Sequence, residues 1–108
     1  MATPAPNPAR DAIRPIAPKL IELTEKVLFG DVWERPGLSK RDRSLITVAT
    51  LVALYRPEQL RGHLERALAN GVTKDEIIEL ITHLAFYSGW PTAMSAALIA
   101  KEVFAKKA

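Results

Sequence analysis

The sequence contains no cysteine. Composition alone therefore excludes disulfides, thiolate metal sites and thiol nucleophiles, and with them dithiol redox chemistry. Histidine is almost as scarce: His63 and His83 are the 2 present. No run approaches the roughly 18–20 consecutive apolar residues needed to span a bilayer. The opening MATPAPNPAR lacks the apolar stretch of a secretory signal, so the expectation is a cytoplasmic protein with no membrane partner. Alternating polar and apolar runs, the mark of half-buried strands, are missing too. Nothing stands at the spacing of a metalloprotease motif, a phosphate-binding loop or a nucleophile elbow. The net charge of +3 is modest. Outside the cluster Lys40, Arg41 and Arg43, the basic residues are interspersed with acids, so no nucleic-acid partner is implied.

What is present is ordinary globular composition, 48% hydrophobic and 25% charged, in 108 residues. That length suits one domain around one core. The prolines crowd toward the start, at Pro4, Pro6, Pro8, Pro15 and Pro18, and predict a flexible N-terminal arm over 1–18 ahead of a helical domain over 19–108. Leu20, Leu23, Val27 and Leu28 predict a first helix over Lys19 to Phe29, stopped by Gly30. Asp31 to Leu38, with Pro36-Gly37, reads as an ordered loop. Ser39 with Asp42 opens a second helix to about Tyr55. Pro57 and Gly71 bracket a third, Pro57 to Asn70. Thr73 with Glu76 forms a capping-box pattern that opens a fourth, to about Tyr87, and Pro91 starts a fifth that reaches about Lys106. The fold class is all-α, a single-domain bundle of about five to six helices. Apolar residues wrap the whole second helix, from Leu45 and Ile46 to Val52 and Leu54. Such a helix is normally buried all round, which in so small a domain asks for another subunit: a homo-oligomer is expected.

At about 100° per residue, the third helix turns Leu60, Leu64, Ala67 and Leu68 inward and sets Arg56, Gln59, His63 and Asn70 along one flank. The fourth turns Ile77, Leu80, Ile81 and Leu84 inward, with Glu76, His83 and Tyr87 on a flanking stripe. Each histidine thus borders an apolar face, and imidazole is the side chain suited to proton transfer near neutral pH. On periodicity alone, a packed histidine with one satisfied hydrogen bond is the commoner outcome. For Arg43, Arg56 and Arg61 the plain alternative is a solvated ion pair. For Trp33 and Trp90 it is an apolar anchor. His63, His83 and Glu76 could offer three ligands to a metal, but two histidines without cysteine make a poor site.

Gly30-Asp31-Val32-Trp33-Glu34-Arg35-Pro36-Gly37-Leu38 followed by Arg43-Ser44-Leu45-Ile46-Thr47 resembles the opening signature of the carboxymuconolactone decarboxylase family. Leu60-Arg61-Gly62-His63-Leu64, Asn70 to Glu76, and His83 with Tyr87-Ser88-Gly89-Trp90-Pro91 continue the pattern in order, so that the likeness runs over about residues 19–104. The resemblance implies the alkyl hydroperoxidase D-like fold, a trimer or hexamer, and no cofactor or metal. The redox branch of that fold uses a Cys-x-x-Cys pair, and here Arg56 and Gln59 stand in place of the cysteines, with His63 at the following histidine and Ser44 near the upstream glutamate.

The remaining branch implies loss of CO2 from 4-carboxymuconolactone to give an enol-lactone. The ligand is then a small-molecule carboxylate or lactone. By this resemblance His63 serves as general acid or oxyanion donor, Arg61 or Arg43 binds substrate carboxylate, His83 and Tyr87 form a polar wall, and Trp33 closes the pocket. Met94 and Trp90 depart from the family pattern and predict a narrower, less polar pocket. The alternatives are a non-catalytic, ligand-binding oligomer of the same fold, or a lyase or isomerase acting on another lactone.

Overall fold

The computed structural model describes residues 7–106; the first part of the expected arm, residues 1–6, lies outside them. All regular structure among the described residues is helical, with six α-helices and no strand, as the patterning required. The chain divides into two compact units, one ending at Gly37 and the other beginning at Leu38.

In the first unit, residues expected to be an arm form α1 (Pro8–Ile13), where the Asn7 side chain accepts from the Arg10 N–H at 3.1 Å. α2 (Pro18–Leu23) runs into a π-helical turn, Thr24–Leu28, closed by the Phe29 N–H on the Thr24 carbonyl at 3.0 Å. The expected helix from Lys19 to Phe29 is therefore not uniform. The wider turn shifts the later side chains round the axis; Ile21 is buried while Leu20, Leu23, Val27 and Leu28 stay exposed. Gly30 is required next, because a Cβ there would lie 2.6 Å from the Lys26 carbonyl oxygen. Trp33, in a 3-10 turn at Val32–Glu34, is buried with its ring 5.5 Å from that of Phe29. The Arg10 guanidinium lies over Phe29, and Arg14 forks onto both oxygens of Glu25, each at 2.9 Å.

The second unit is a four-helix arrangement of α3 (Lys40–Ala53), α4 (Pro57–Ala69), α5 (Lys74–Ser88) and α6 (Trp90–Lys106). α3 packs against α4 and α5, and α6 against the same two, so α4 and α5 stand diagonally across the bundle. Each helix contributes one buried stripe: Val48 and Val52; Leu60, Leu64 and Ala67; Ile77, Ile81 and Ala85; Ala93, Ala96, Ala100 and Val103. The alanines of α6 let its neighbours approach closely. Ser44 is the buried polar residue, and the Asn70 side-chain amide donates to its hydroxyl at 2.9 Å, tying α3 to α4. α3 is not buried all round as its apolar wrapping predicted. Ile46 is 52% exposed and Leu54 57%, because this chain covers only one side of the helix.

Both helix ends in the α3–α4–α5 run are closed by the same hydrogen-bond pattern. After α4, Val72 N–H reaches the Ala67 carbonyl at 2.9 Å and Gly71 N–H the Leu68 carbonyl at 3.2 Å, with Gly71 at φ +99°. After α3, Arg56 N–H reaches Leu51 at 2.9 Å and Tyr55 N–H reaches Val52 at 3.2 Å, but the left-handed residue is Tyr55, at φ 55°. Tyr55 was expected inside the helix; it is its strained stop, and Arg56 covers the exposed Leu54 carbonyl at 2.9 Å. Replacing Tyr55 by Gly should raise stability, by about 1 kcal/mol or less after the unfolded-state cost of glycine. Leu64→Ala, at a fully buried position, should lower it by about 2–5 kcal/mol. Urea denaturation of both variants measures the two changes.

Candidate functional site

α3 and α5 run side by side in the same direction, and an open groove of about 570 Å3 lies along their seam. Leu45, Ile46 and Ala49 line it from α3, and Glu76, Glu79, Leu80, His83 and Leu84 from α5. The volume is that of a small-molecule site, and the wall is mainly apolar with a few convergent polar groups. Glu79 and His83 are one helical turn apart on the same face. The exposed His83 ring stacks on Tyr87, with centroids 4.7 Å apart and planes at 29°.

The N-terminal end of the groove is set by one carboxylate. Glu76 Oε1 accepts from the Thr73 N–H at 2.9 Å while the Thr73 hydroxyl accepts from the Glu76 N–H at 3.1 Å, which completes the capping box of α5. The other oxygen, Oε2, accepts from Arg41 Nη2 on α3. Arg41 Nη1 donates to Asp42 at 3.3 Å. The Thr73 N–H, then Arg41, hold the Glu76 carboxyl below the ordinary glutamate range, and Glu76 in turn raises Arg41. Both side chains are about two-fifths exposed, so solvent screens the pair and it is readily exchanged.

The residues singled out in the sequence fall in different places. His83 and Tyr87 come together at the groove. His63 is half-buried on α4, with Nδ1 enclosed, on the flank that also carries Asn70 and so turns toward α3. Arg43, on α3, does not line the groove; it lies about 60° round the helix from Ile46, on the way to the side that faces α4. Arg61 leaves α4 on its other flank and pairs with Glu102 of α6 at 2.6 Å. Trp33 belongs to the first unit. Trp90 and Met94 do not line the groove and so do not narrow it; with Phe86 and Leu98 they form an exposed apolar stripe, each more than half exposed. Phe86 meets Trp90 edge to face at 5.3 Å. Arg41 and Glu79 were missed in the sequence. The available signal was the i, i+4, i+8 spacing of Arg41, Leu45 and Ala49, which places a cation at the end of an apolar stripe.

Among the described residues no group of three or more His, Asp or Glu side chains is placed to hold a metal ion, and no helix is long and apolar enough to cross a membrane. A family model described as the carboxymuconolactone decarboxylase family matches residues 18–102. The chain is 51% identical over 76 residues to 4-carboxymuconolactone decarboxylase of Acinetobacter baylyi, covering 70% of this chain and 57% of that protein. It is 36% identical over 81 residues to nitrosuccinic acid decarboxylase npaB of Metarhizium robertsii, covering 75% and 57%. An uncharacterized 15.0 kDa protein from the nqo9-nqo10 intergenic region of Paracoccus denitrificans is 33% identical over 109 aligned positions, covering 94% and 81%. The chain thus spans a little over half the length of the two decarboxylases.

Because the folded-state pKa of Glu76 is depressed, its contribution to stability is fully present above the ordinary glutamate range and is lost as pH falls through the lower folded value. Thermal melts of Glu76→Gln from pH 6 to pH 2, compared with the parent, should show a smaller acid-side loss of melting temperature. An unchanged pH slope would count against this role for the carboxylate.

Proposed function

The chain belongs to the carboxymuconolactone decarboxylase family, and from that membership we propose that it is a cofactor-independent carboxy-lyase acting on a small dicarboxylic acid, with 4-carboxymuconolactone as the leading candidate. The observation that carries this reading is the 51% identity to a 4-carboxymuconolactone decarboxylase. The substrate named for the second relative narrows the class. Nitrosuccinic acid and carboxymuconolactone both bear a carboxylate placed so that a neighbouring group, nitro in one and unsaturated lactone in the other, accepts the electron pair left by CO2.

With such a substrate the protein has three tasks: to hold the acid, to favour negative charge on the acceptor group, and to deliver a proton to carbon. The bond between the leaving carboxylate and its carbon breaks, CO2 departs, and the pair delocalises into the lactone. The proton added to carbon comes from an imidazolium, which recovers one from water. In the α3–α5 groove this donor is His83, with Tyr87 stacked on it to hold its plane. Leu45, Ile46, Leu80 and Leu84 give the groove a mainly apolar wall beside the developing charge.

A second reading keeps the proton donor at His63 with Arg43 as carboxylate binder, on the α4 side of α3. It is favoured by the half-burial of His63 and by the position of Arg43 outside the groove, on the way to that side. Arg61, engaged by Glu102, serves neither face directly. The exposed stripe of Phe86, Trp90, Met94 and Leu98 supports the further proposal of a homo-oligomer, a trimer or hexamer, with that stripe inside it.

Ultraviolet monitoring of freshly generated 4-carboxymuconolactone should show loss above the spontaneous rate. His83→Gln should cut kcat by about 10²-fold or more while KM changes little, the size expected for a lost general acid. A loss confined to His63→Gln would move the reaction to the other side of α3. Light scattering should return a mass several times that of the 11.9 kDa chain; a monomer would overturn the oligomer.

A further inference from the structure

The groove as described holds a proton donor but no lining cation, and a dicarboxylic acid needs an anchor for the carboxylate that stays. We propose that Arg41 is that anchor, kept in place by Glu76 in the empty groove and handed to the substrate carboxylate when it binds. The proposal rests on the reading of the groove as the decarboxylation site and adds to it a specificity-determining residue.

The geometry supports it in three ways. Arg41 lies on the stripe that continues through Leu45 and Ala49 into the groove wall, so its guanidinium reaches Glu76, itself a lining residue. Glu76 and His83 are seven residues apart on α5, about 10 Å along the axis. That separation, less the lengths of the guanidinium and imidazole contacts at either end, leaves room for a small diacid whose retained carboxylate sits at Arg41 while its reacting carbon sits at His83. Finally, the contact with Glu76 shows that the Arg41 guanidinium can receive a carboxylate, and its planar set of N–H donors suits a fork onto a ligand once Glu76 gives way.

Glu76 is suited to release its partner because its position does not depend on Arg41. The capping box holds it through Oε1, so loss of the Arg41 contact leaves α5 closed at its first turn. In the free protein Glu76 occupies the guanidinium face that a substrate carboxylate would take, and so acts as a built-in competitor. It also rejects monoacids. A ligand whose one carboxylate is the leaving group at His83 has none to replace Glu76 and leaves the pair intact.

The test uses variants whose effects on KM have opposite signs. Arg41→Ala should raise KM about tenfold or more with kcat nearly unchanged, as expected for loss of a charged hydrogen-bonded anchor. Arg41→Lys, a point charge without the fork, should fall between. Glu76→Gln keeps an oxygen for the capping box but gives up the charge that competes, so it should lower KM by about two- to fivefold. A merely structural ion pair would not produce that decrease. Calorimetry with cis,cis-muconate, a diacid without the lactone, repeats the comparison as binding and needs no turnover.

Muconate binding that weakens in Arg41→Ala and tightens in Glu76→Gln, in a protein inactive on carboxymuconolactone, would uphold the anchor and remove the reaction. Turnover with KM within twofold of the parent in Arg41→Ala would remove the anchor and leave the reaction. A Glu76→Gln variant whose KM rises alongside that of Arg41→Ala would overturn the exchange. Absence of measurable muconate binding in the parent would overturn the anchor as well.

Discussion

Two helices that are separated in the sequence by a third run in parallel, and the Glu76 carboxylate joins their N-terminal ends. One of its oxygens closes the first turn of α5; the other meets Arg41 in the first turn of α3. Both are short-range contacts that mark the matched ends of helices held together by the buried stripes of the core. Leu45, Ile46 and Ala49 face Leu80, His83 and Leu84 along a common seam. α4 returns along the far side of α3, and α6 covers both α4 and α5 with a stripe of small residues.

A seam between parallel helices differs chemically from the core beneath it. The core stripes are fully apolar apart from Ser44, whose hydroxyl is met by Asn70. The seam carries carboxylates and an imidazole at its rim, where water can reach them. A site of this kind suits a reaction in which the substrate provides the electron sink. Under the decarboxylation proposed above, the protein would bind, orient and move one proton, with no strong nucleophile or redox centre among its own side chains. The absence of cysteine is consistent with that division of labour.

The second unit also leaves apolar side chains exposed. Phe86, Trp90, Met94 and Leu98 form a continuous exposed stripe along the end of α5 and the start of α6, and Ile46 and Leu54 leave part of α3 uncovered. Among the described residues of the first unit, Ile21 and Trp33 are the large apolar residues that are buried. A segment of that size has little core of its own. Both features fit a protein whose burial is completed by further polypeptide.

The sequence by itself determined the helices and their caps. Thr73 with Glu76, Pro57 with Gly71, and the spacing of Leu60, Leu64 and Ala67 or Ile77 and Ile81 act over one or two turns, and local rules suffice to read them. It also carried the family pattern, through motifs such as Leu60-Arg61-Gly62-His63-Leu64. It did not reveal the π turn after Leu23 or the left-handed Tyr55, because neither has the glycine or proline that usually marks such a departure. Tertiary structure alone decided which flanks meet. His63 and His83 look equivalent on helical wheels, each beside an apolar stripe, but the diagonal placement of α4 and α5 puts them on different sides of α3. Arg41 looked like one member of a solvated basic cluster until α5 brought Glu76 beside it. Pairing between helices is a long-range choice made by the whole core, and no window of local sequence contains it.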